Sequence, residues 1–389
     1  GSMSEFLALL RSFIHDTPPE GAQTWDIAAL SQTALRQNLL PVLAYENKRW
    51  QLFAADDVKK QLDAILYGAV TGNLNRCASF EQLSQQLTAH GIAHMPVKGY
   101  YLRQLYPVPE LRTFGDIDIL IHPEDRRKAH QLMMALGYTA GQDWEPTYSY
   151  VKGMEHYELH TNLMDGNLDD RADLPAYFQN AWQYAEPDEG LRFRPTLDFH
   201  FIYTVCHLAK HLYGGGAGIR MYLDVALYVR HYDGEIDWEA VAGEFSSLHL
   251  LDFFHTVMNA CRVWFGTETV CPLPEPDRAA LDTLLDYTLD ADLFGHLRDH
   301  SVIRLRGTDP QAPSRGRVFL RMLFPPAAEI ETRYTFLKGQ HWLLPLAWLV
   351  RLFANLRLVP QRLRQMRQVS HTETGSVKAY DDFMKRIGL

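Results

Sequence analysis

The feature that most constrains this chain is an apolar segment, Asp116–Ile121, that carries two aspartates. Its sequence, Asp-Ile-Asp-Ile-Leu-Ile, alternates as a β-strand does, so Asp116 and Asp118 share one face and the isoleucines share the other. Such a strand buries well without acids, and buried carboxylates are costly unless they have partners. Two carboxylates on one face can share a divalent cation such as Mg²⁺, which prefers oxygen ligands. The segment therefore predicts a metal site at the rim of a sheet.

A third carboxylate follows in a second alternating run. Glu158 lies between apolar neighbours, and His160 follows on the same face. If the two runs are neighbouring strands, Asp116, Asp118 and Glu158 meet at the sheet rim. Three acids that hold Mg²⁺ or Mn²⁺ suit in-line displacement at a phosphorus atom. The simpler alternatives are an ion pair for Glu158 and a hydrogen-bonded rim position for His160.

A lysine–glycine step precedes the aspartates. Lys98 and Gly99 lie where a short strand gives way to a helix. Glycine lets the backbone approach a phosphate closely, and the lysine supplies a point charge for phosphate oxygens. Arg112 comes four residues before Asp116 and is predicted to bind phosphate or to hold the loop. The alternatives are a solvated strand-end lysine and a structural arginine paired with a carboxylate.

The periodicity of apolar residues divides the chain into three parts. Residues 4–90 follow helical spacing, and they include a helix over 74–90 that we expect to pack on the next part. Residues 91–170 mix strand and helix patterns and predict a small mixed sheet of four or five strands. Residues 171–389 are again mostly helical. The fold class is therefore α+β, with a sheet-containing core between N- and C-terminal helical regions.

Several individual elements follow from the same patterns. The predicted strands and helices that are compared with the structure below are Ile92–Val97, Asp116–Ile121, the hairpin Thr147–Val151 with His156–His160, Val58–Leu66, Leu74–His90, Leu197–Tyr213, Arg220–His231, Trp238–Phe265, Arg278–Leu297 and Gln340–Arg367. In the last helix, arginines between Arg351 and Arg367 interleave with apolar residues. This pattern fits a solvated helix face packed on the domain, or a surface for an anionic lipid, RNA or an acidic partner.

Composition limits the partners and the compartment. The 389 residues carry a net charge of −9, which argues against nucleic acid as the main partner. The four cysteines are scattered, and no two of them form a CxxC motif. We therefore expect no zinc site, and we expect the protein in a reducing compartment, the cytoplasm. The most apolar stretch, Trp342–Val350, is too short to span a bilayer, so no transmembrane segment is expected.

The order of these residues resembles the DNA polymerase beta-like nucleotidyltransferase superfamily, which has Gly-Gly or Gly-Ser before a helix, then Asp-x-Asp and a later third carboxylate. Lys98-Gly99, Arg112 and Asp-Ile-Asp, with Glu-Leu-His downstream, look like the bacterial group called nucleotidyltransferase family 5. The resemblance implies a polymerase beta-like core, a divalent metal held by Asp116, Asp118 and Glu158, and a nucleoside triphosphate bound by Lys98, Gly99 and Arg112. The chain departs from the superfamily at Lys98-Gly99, where the usual phosphate-binding serine is missing.

The C-terminal helices also resemble that group and are expected to shape an acceptor pocket. His207 and His211 lie four residues apart on one predicted helix, and Arg220 and Asp224 lie on the next. Together with His160, these are the predicted acceptor-pocket residues. The histidine pair has two alternatives: a zinc site, which an HExxH pattern would have supported, and structural hydrogen bonding.

The sequence thus predicts metal-dependent transfer of a nucleoside monophosphate, with ATP as the expected donor, to a hydroxyl or phosphate acceptor. Pyrophosphate is released, and the acceptor is a small molecule, a saccharide or a peptide. One alternative is a glycosyltransferase that uses its Asp-x-Asp motif on a nucleotide sugar, although no long Rossmann-like region precedes the motif. Another is an inactive nucleotidyltransferase fold that serves as a binding module, although all three acids are intact.

Overall fold

The computed structural model describes residues 2–113, 115–289 and 378–389. The predicted helix Gln340–Arg367 with its arginines, the apolar stretch Trp342–Val350 and the last residues of Arg278–Leu297 lie outside the described residues. Among the helices that the structure describes, none combines the length and the apolar character that a membrane crossing needs.

Four helices form the N-terminal part: α1 Ser2–His15, α2 Ile27–Arg36, α3 Leu40–Trp50 and α4 Asp56–Ala89. Asp26 caps α2, because its carboxylate accepts the backbone N–H groups of the first turn at 3.0 and 3.2 Å. The prediction of two separate helices over 58–66 and 74–90 is wrong, since α4 is one helix of 34 residues. The helical spacing of apolar residues is interrupted around the exposed Gly68 and Gly72. Each glycine weakens a helix by only about 1 kcal/mol, so the helix continues through this region.

The strands belong to one mixed sheet. They are β1 His94–Val97, β2 Ile117–Ile121, β3 Thr139–Trp144, β4 Thr147–Lys152, β5 Glu155–His160, β6 Ala185–Glu189 and β7 Arg192–Pro195. Their order is β3-β4-β5-β2-β1-β7-β6, in which β2–β5 and β1–β7 are parallel pairs and the other pairs are antiparallel. The mixed sheet and the β4–β5 hairpin confirm the sequence prediction.

The predicted count of four or five strands is wrong, because the described residues already form seven. The edge strands β3 and β6 are exposed and polar, so they lack the apolar alternation that marks a half-buried strand. Pro187 is tolerated in β6 because an edge strand needs no ladder bonds on its outer side. β6 and β7 come from residues 185–195, so the sheet also uses the chain beyond residue 170.

Two helices connect the strands of the core: α5 Gly99–Leu102 after β1, and α6 Arg126–Ala135 after β2. Ile117, Ile119 and Ile121 of β2 pack with residues of α4 and α6 in one buried cluster. Leu120 belongs to the larger cluster on the other face of the sheet. Because side chains alternate along a strand, Asp118 lies on that second face with Leu120.

Six α-helices follow in the described part of the chain: α7 Leu174–Phe178, α8 Leu197–Tyr213, α9 Ile219–Tyr232, α10 Trp238–Ser247, α11 Leu251–Phe265 and α12 Arg278–Leu289. Short 3₁₀ turns lie at Ala22–Thr24, Arg103–Leu105, Pro109–Leu111, Pro123–Asp125 and Ala181–Tyr184, and residues 378–386 are helical. The larger core cluster joins these helices to the second sheet face.

The C-terminal helix predictions hold in two cases and are wrong in one. Leu197–Tyr213 is confirmed at both ends, and Arg220–His231 within one residue at each end. The single predicted helix over 238–265 is wrong, since α10 and α11 are separated by a break in which His249 has a φ of 55°. The sequence pattern runs across this break because Leu248 and Leu250 are both buried in the core.

Candidate active site

The parallel strands β2 and β5 bring predicted site residues together. Asp118 is directly opposite Glu158 in the register, and Leu120 is opposite His160. Nε2 of His160 lies 2.8 Å from Oδ1 of Asp118 and 3.5 Å from Oε2 of Glu158. On the other side of the ring, Nδ1 of His160 lies 3.2 Å from the Thr147 hydroxyl on β4. Three neighbouring strands therefore fix this group of side chains.

Asp118, Glu158 and His160 can hold a metal ion, since one ligand atom of each lies within 4.8 Å of the other two. The carboxylate oxygens suit Mg²⁺ or Mn²⁺, and the imidazole adds a nitrogen donor. Asp116 lies outside this group but beside Glu158, whose pKa it helps to raise, and its Oδ1 is 3.6 Å from Nδ1 of His156. The metal-binding roles predicted for Asp116, Asp118 and Glu158 stay predictions.

Lys98 approaches the acids from the end of β1. Its ammonium Nζ lies 3.4 Å from Oδ2 of Asp118. Its backbone has φ 54° and ψ −120°, a conformation that glycine favours and that strains a residue with a side chain. The backbone N–H of Lys98 donates to Nε2 of His200 on α8 at 3.1 Å. The turn therefore carries a lysine in a conformation that glycine favours, and a buried histidine helps to hold it.

The charges of this site are strongly coupled. Burial favours the neutral form of Asp118, but the Lys98 ammonium and the His160 hydrogen bond outweigh it and hold the pKa of Asp118 well below its usual range. Burial and the neighbouring aspartates raise the pKa of Glu158, against the hydrogen bond from His160. Burial opposes the charged form of His160 too, yet its bonds to Asp118 and Glu158 raise its pKa. Of the two carboxylates in the group, Asp118 is therefore the one whose charged form is favoured more strongly.

Arg112 lies in a buried hydrogen-bond network and is not exposed to solvent. Its Nε and Nη2 donate to Oδ1 and Oδ2 of Asp224 at 3.0 and 2.8 Å, and both side chains are almost fully buried. The Tyr106 hydroxyl donates to the same Oδ1 at 2.8 Å. The alternative of a structural arginine with a carboxylate partner therefore describes this geometry, and phosphate binding by Arg112 stays a prediction.

Helix α8 forms a wall beside the acids. His200, Tyr203, His207 and His211 lie on one side of it, at helical spacing, and Nζ of Lys98 is 5.7 Å from the Tyr203 ring centre. Burial lowers the pKa of His207 well below its usual value. Desolvation by the surrounding protein, with the nearby Lys98 and Lys210, lowers the pKa of His211 to about 4, although part of this residue is exposed. Both imidazoles are therefore neutral at neutral pH.

His200 and Tyr203 were missed by the sequence reasoning. The signal that could have found them is helical spacing: His200 and Tyr203 lie seven and four residues before His207, so they share one face of α8 with His207 and His211. Burial, more than the nearby Arg112, lowers the pKa of His200 to about 4, so its ring is neutral and Nε2 can accept the Lys98 N–H. The acceptor-pocket roles of His160, His207 and His211 stay predictions.

The comparisons with known proteins agree with this arrangement. Residues 23–266 match the model of a family described as uncharacterised nucleotidyltransferase, which covers more than half of the 389 residues. The chain belongs to this nucleotidyltransferase family, which confirms the resemblance found in the sequence. The match spans the sheet, the acids and helices α2 to α11. No curated protein matches the chain, and no solved structure does.

Proposed function

We propose that the protein transfers a nucleoside monophosphate, from ATP or another nucleoside triphosphate, to an acceptor hydroxyl or phosphate. The observation that carries this proposal is the alignment of Asp118 with Glu158 across two parallel strands, with Lys98 3.4 Å from Asp118. Carboxylates for a metal and a cation for phosphates thus lie on one side of the sheet. The family match supports the same reaction class.

The donor set fits a divalent metal. Asp118 is ionised, Glu158 is its neighbour in the register, and His160 lies within reach of both. Asp118 and Glu158, with Asp116 beside them, would hold Mg²⁺ or Mn²⁺ through oxygen atoms. A bound divalent cation would neutralise the triphosphate oxygens around the reacting phosphorus.

The other side chains act on the phosphates and on the proton. The ammonium of Lys98 supplies positive charge to the phosphate oxygens, and Gly99 lets them approach the backbone. The acceptor oxygen forms a bond to the α-phosphorus, the bond from that phosphorus to the bridging oxygen breaks, and pyrophosphate leaves with the electron pair. A carboxylate oxygen of Glu158 that does not bind the metal would take the proton of a hydroxyl acceptor.

The acceptor and the compartment belong to the same proposal. Neutral His207 and His211 on the α8 wall would face an uncharged hydroxyl-bearing acceptor such as a small molecule, a saccharide or a peptide. The four cysteines are free thiols, three of them buried, which supports a reducing compartment such as the cytoplasm.

The test is incubation of the protein with cell extract, Mg²⁺ and nucleoside triphosphates labelled at the α-phosphate. We expect label on an acceptor and release of pyrophosphate, and we expect Asp118→Asn to abolish both. Asp143→Asn is the matched control, because Asp143 is exposed on the edge strand β3 and pairs with Arg126. Release of a nucleoside diphosphate, or full activity of Asp118→Asn, would contradict the proposal.

A further inference from the structure

Arg220 and Asp224 lie in the first two turns of helix α9 with the spacing of a helical ion pair, yet they do not pair. Residues four apart on a helix are neighbours, so an arginine and an aspartate at this spacing usually attract each other. Here both oxygens of Asp224 are taken by Arg112, at 3.0 and 2.8 Å, and Tyr106 adds a third hydrogen bond. The carboxylate at the right spacing for Arg220 is thus bound by Arg112 instead.

Arg220 is left as a half-buried cation without an acidic partner in the part of the chain that the structure describes. Its Nη1 donates a hydrogen bond to the backbone oxygen of Thr113 at 2.7 Å, and it forms no ion pair with a described carboxylate. Burial and the nearby Arg112 lower its pKa, but arginine stays charged at any physiological pH. A desolvated guanidinium with free donors favours an anion that can accept several hydrogen bonds.

The position of Arg220 links it to the acids. Lys98 and Arg220 both lower the pKa of His211 and Asp118 raises it, so all three lie within electrostatic range of this one imidazole. The Thr113 carbonyl that holds Arg220 lies three residues before Asp116, on the loop that leads into β2. Lys98, at the end of β1, and Arg220, on α9, therefore both lie near His211 and near the segment that carries the aspartates.

We propose that Arg220 binds the terminal phosphates of the nucleoside triphosphate, and that Arg112 is a positioning residue that keeps Asp224 away from it. This inference rests on the proposed function and gives Arg220 a role on the nucleotide side of the site instead of the acceptor side. The planar guanidinium suits bidentate contact with phosphate oxygens, whereas Lys98 contributes a single point charge.

The experiment measures binding by calorimetry, in the presence of Mg²⁺, for a non-hydrolysable nucleoside triphosphate, the corresponding monophosphate and inorganic pyrophosphate. Arg220→Gln is expected to weaken binding of the triphosphate and of pyrophosphate roughly 10- to 100-fold, because charge-assisted hydrogen bonds are lost. Binding of the monophosphate is expected to change less than about twofold, since it lacks the terminal phosphates. Arg220→Lys is expected to fall between the wild type and Arg220→Gln.

The matched control is Arg230→Gln, which makes the same change on the same helix roughly 15 Å away, given 1.5 Å per residue. It should bind all three ligands like the wild type. A second arm uses Arg112→Met, which releases Asp224 to pair with Arg220 and should weaken triphosphate binding selectively. Adding Asp224→Asn to Arg112→Met should restore that binding, provided circular dichroism shows that both variants are folded.

The outcomes separate this inference from the proposed function. Equal weakening of triphosphate and monophosphate by Arg220→Gln, or unchanged binding of both, would overturn the role of Arg220 while leaving nucleotide transfer intact. The protein could instead bind pyrophosphate through Arg220 and bind no nucleoside triphosphate. That result would overturn the proposed function, and Arg220 would then belong to a phosphate-binding site only. A wild type that binds none of the three ligands would overturn both.

Discussion

The buried pair of Arg112 and Asp224 gives the largest stability effect that we expect from a single change near the site. The two side chains are 7% and 4% exposed and share two hydrogen bonds. Asp224→Leu leaves the guanidinium buried without its counter-charge, which we expect to cost about 3–5 kcal/mol in the free energy of unfolding. Arg112→Met should cost less, because Arg220 lies one turn before Asp224 and can take up its charge.

The double variant Arg112→Met/Asp224→Leu separates the pair from its individual members. With both charges removed, no buried ion is left alone, so its cost should be smaller than that of Asp224→Leu. Urea unfolding followed by tryptophan fluorescence measures all three variants. The control is Asp143→Asn, which breaks the exposed pair with Arg126 at 2.7 Å and should cost no more than about 1 kcal/mol. A cost for Asp224→Leu as small as the control's, or a double variant that costs the sum of both single changes, would refute this reasoning.

Three further predictions concern single residues. Lys98→Gly and Lys98→Met both remove the ammonium beside Asp118, but only glycine adopts a φ of 54° without strain. Lys98→Gly should therefore be more stable than Lys98→Met in urea unfolding by about 1 kcal/mol. Equal stability of the two variants would argue against backbone strain at this position. His200→Phe removes the acceptor of the Lys98 N–H and should cost about 1–3 kcal/mol, which a wild-type unfolding midpoint would contradict. Burial raises the pKa of Glu46 from 4.5 to about 7, so the folded protein holds a proton that the unfolded chain releases, and stability should fall as pH rises through that window. Glu46→Gln should remove this fall and gain roughly 3 kcal/mol at pH 8, whereas equal pH dependence of both proteins would contradict it.

The central part of the fold could be predicted because its signals are local. The alternation in β2 and β5 reflects burial of one strand face, and helix α8 is apolar over most of its length. These patterns predicted the strands that carry Asp118 and Glu158, although the parallel pairing that aligns the two acids was known only from the structure. The edge strands β3 and β6 give no such signal, because their side chains are exposed.

The partners of the charged residues could not be predicted, because they depend on contacts between distant parts of the chain. Arg112 and Asp224 are 112 residues apart, and Lys98 and His200 are 102 residues apart. The positive φ of Lys98 could not be predicted for another reason: this conformation is typical of glycine, so a lysine in the sequence does not indicate it. The missing serine at the Lys98-Gly99 step pointed to this turn, and the structure shows that Lys98 has a positive φ there.

The most direct test of the central claim is a crystal structure with Mn²⁺ and a non-hydrolysable nucleoside triphosphate, in which anomalous scattering locates the metal. We predict that Mn²⁺ lies between carboxylate oxygens of Asp118 and Glu158 and contacts the triphosphate, whose phosphates face Lys98. In Asp118→Asn crystals the anomalous peak should be lost. A triphosphate bound away from β2 and β5, or Mn²⁺ that leaves Asp118 and Glu158 without contact, would contradict the account.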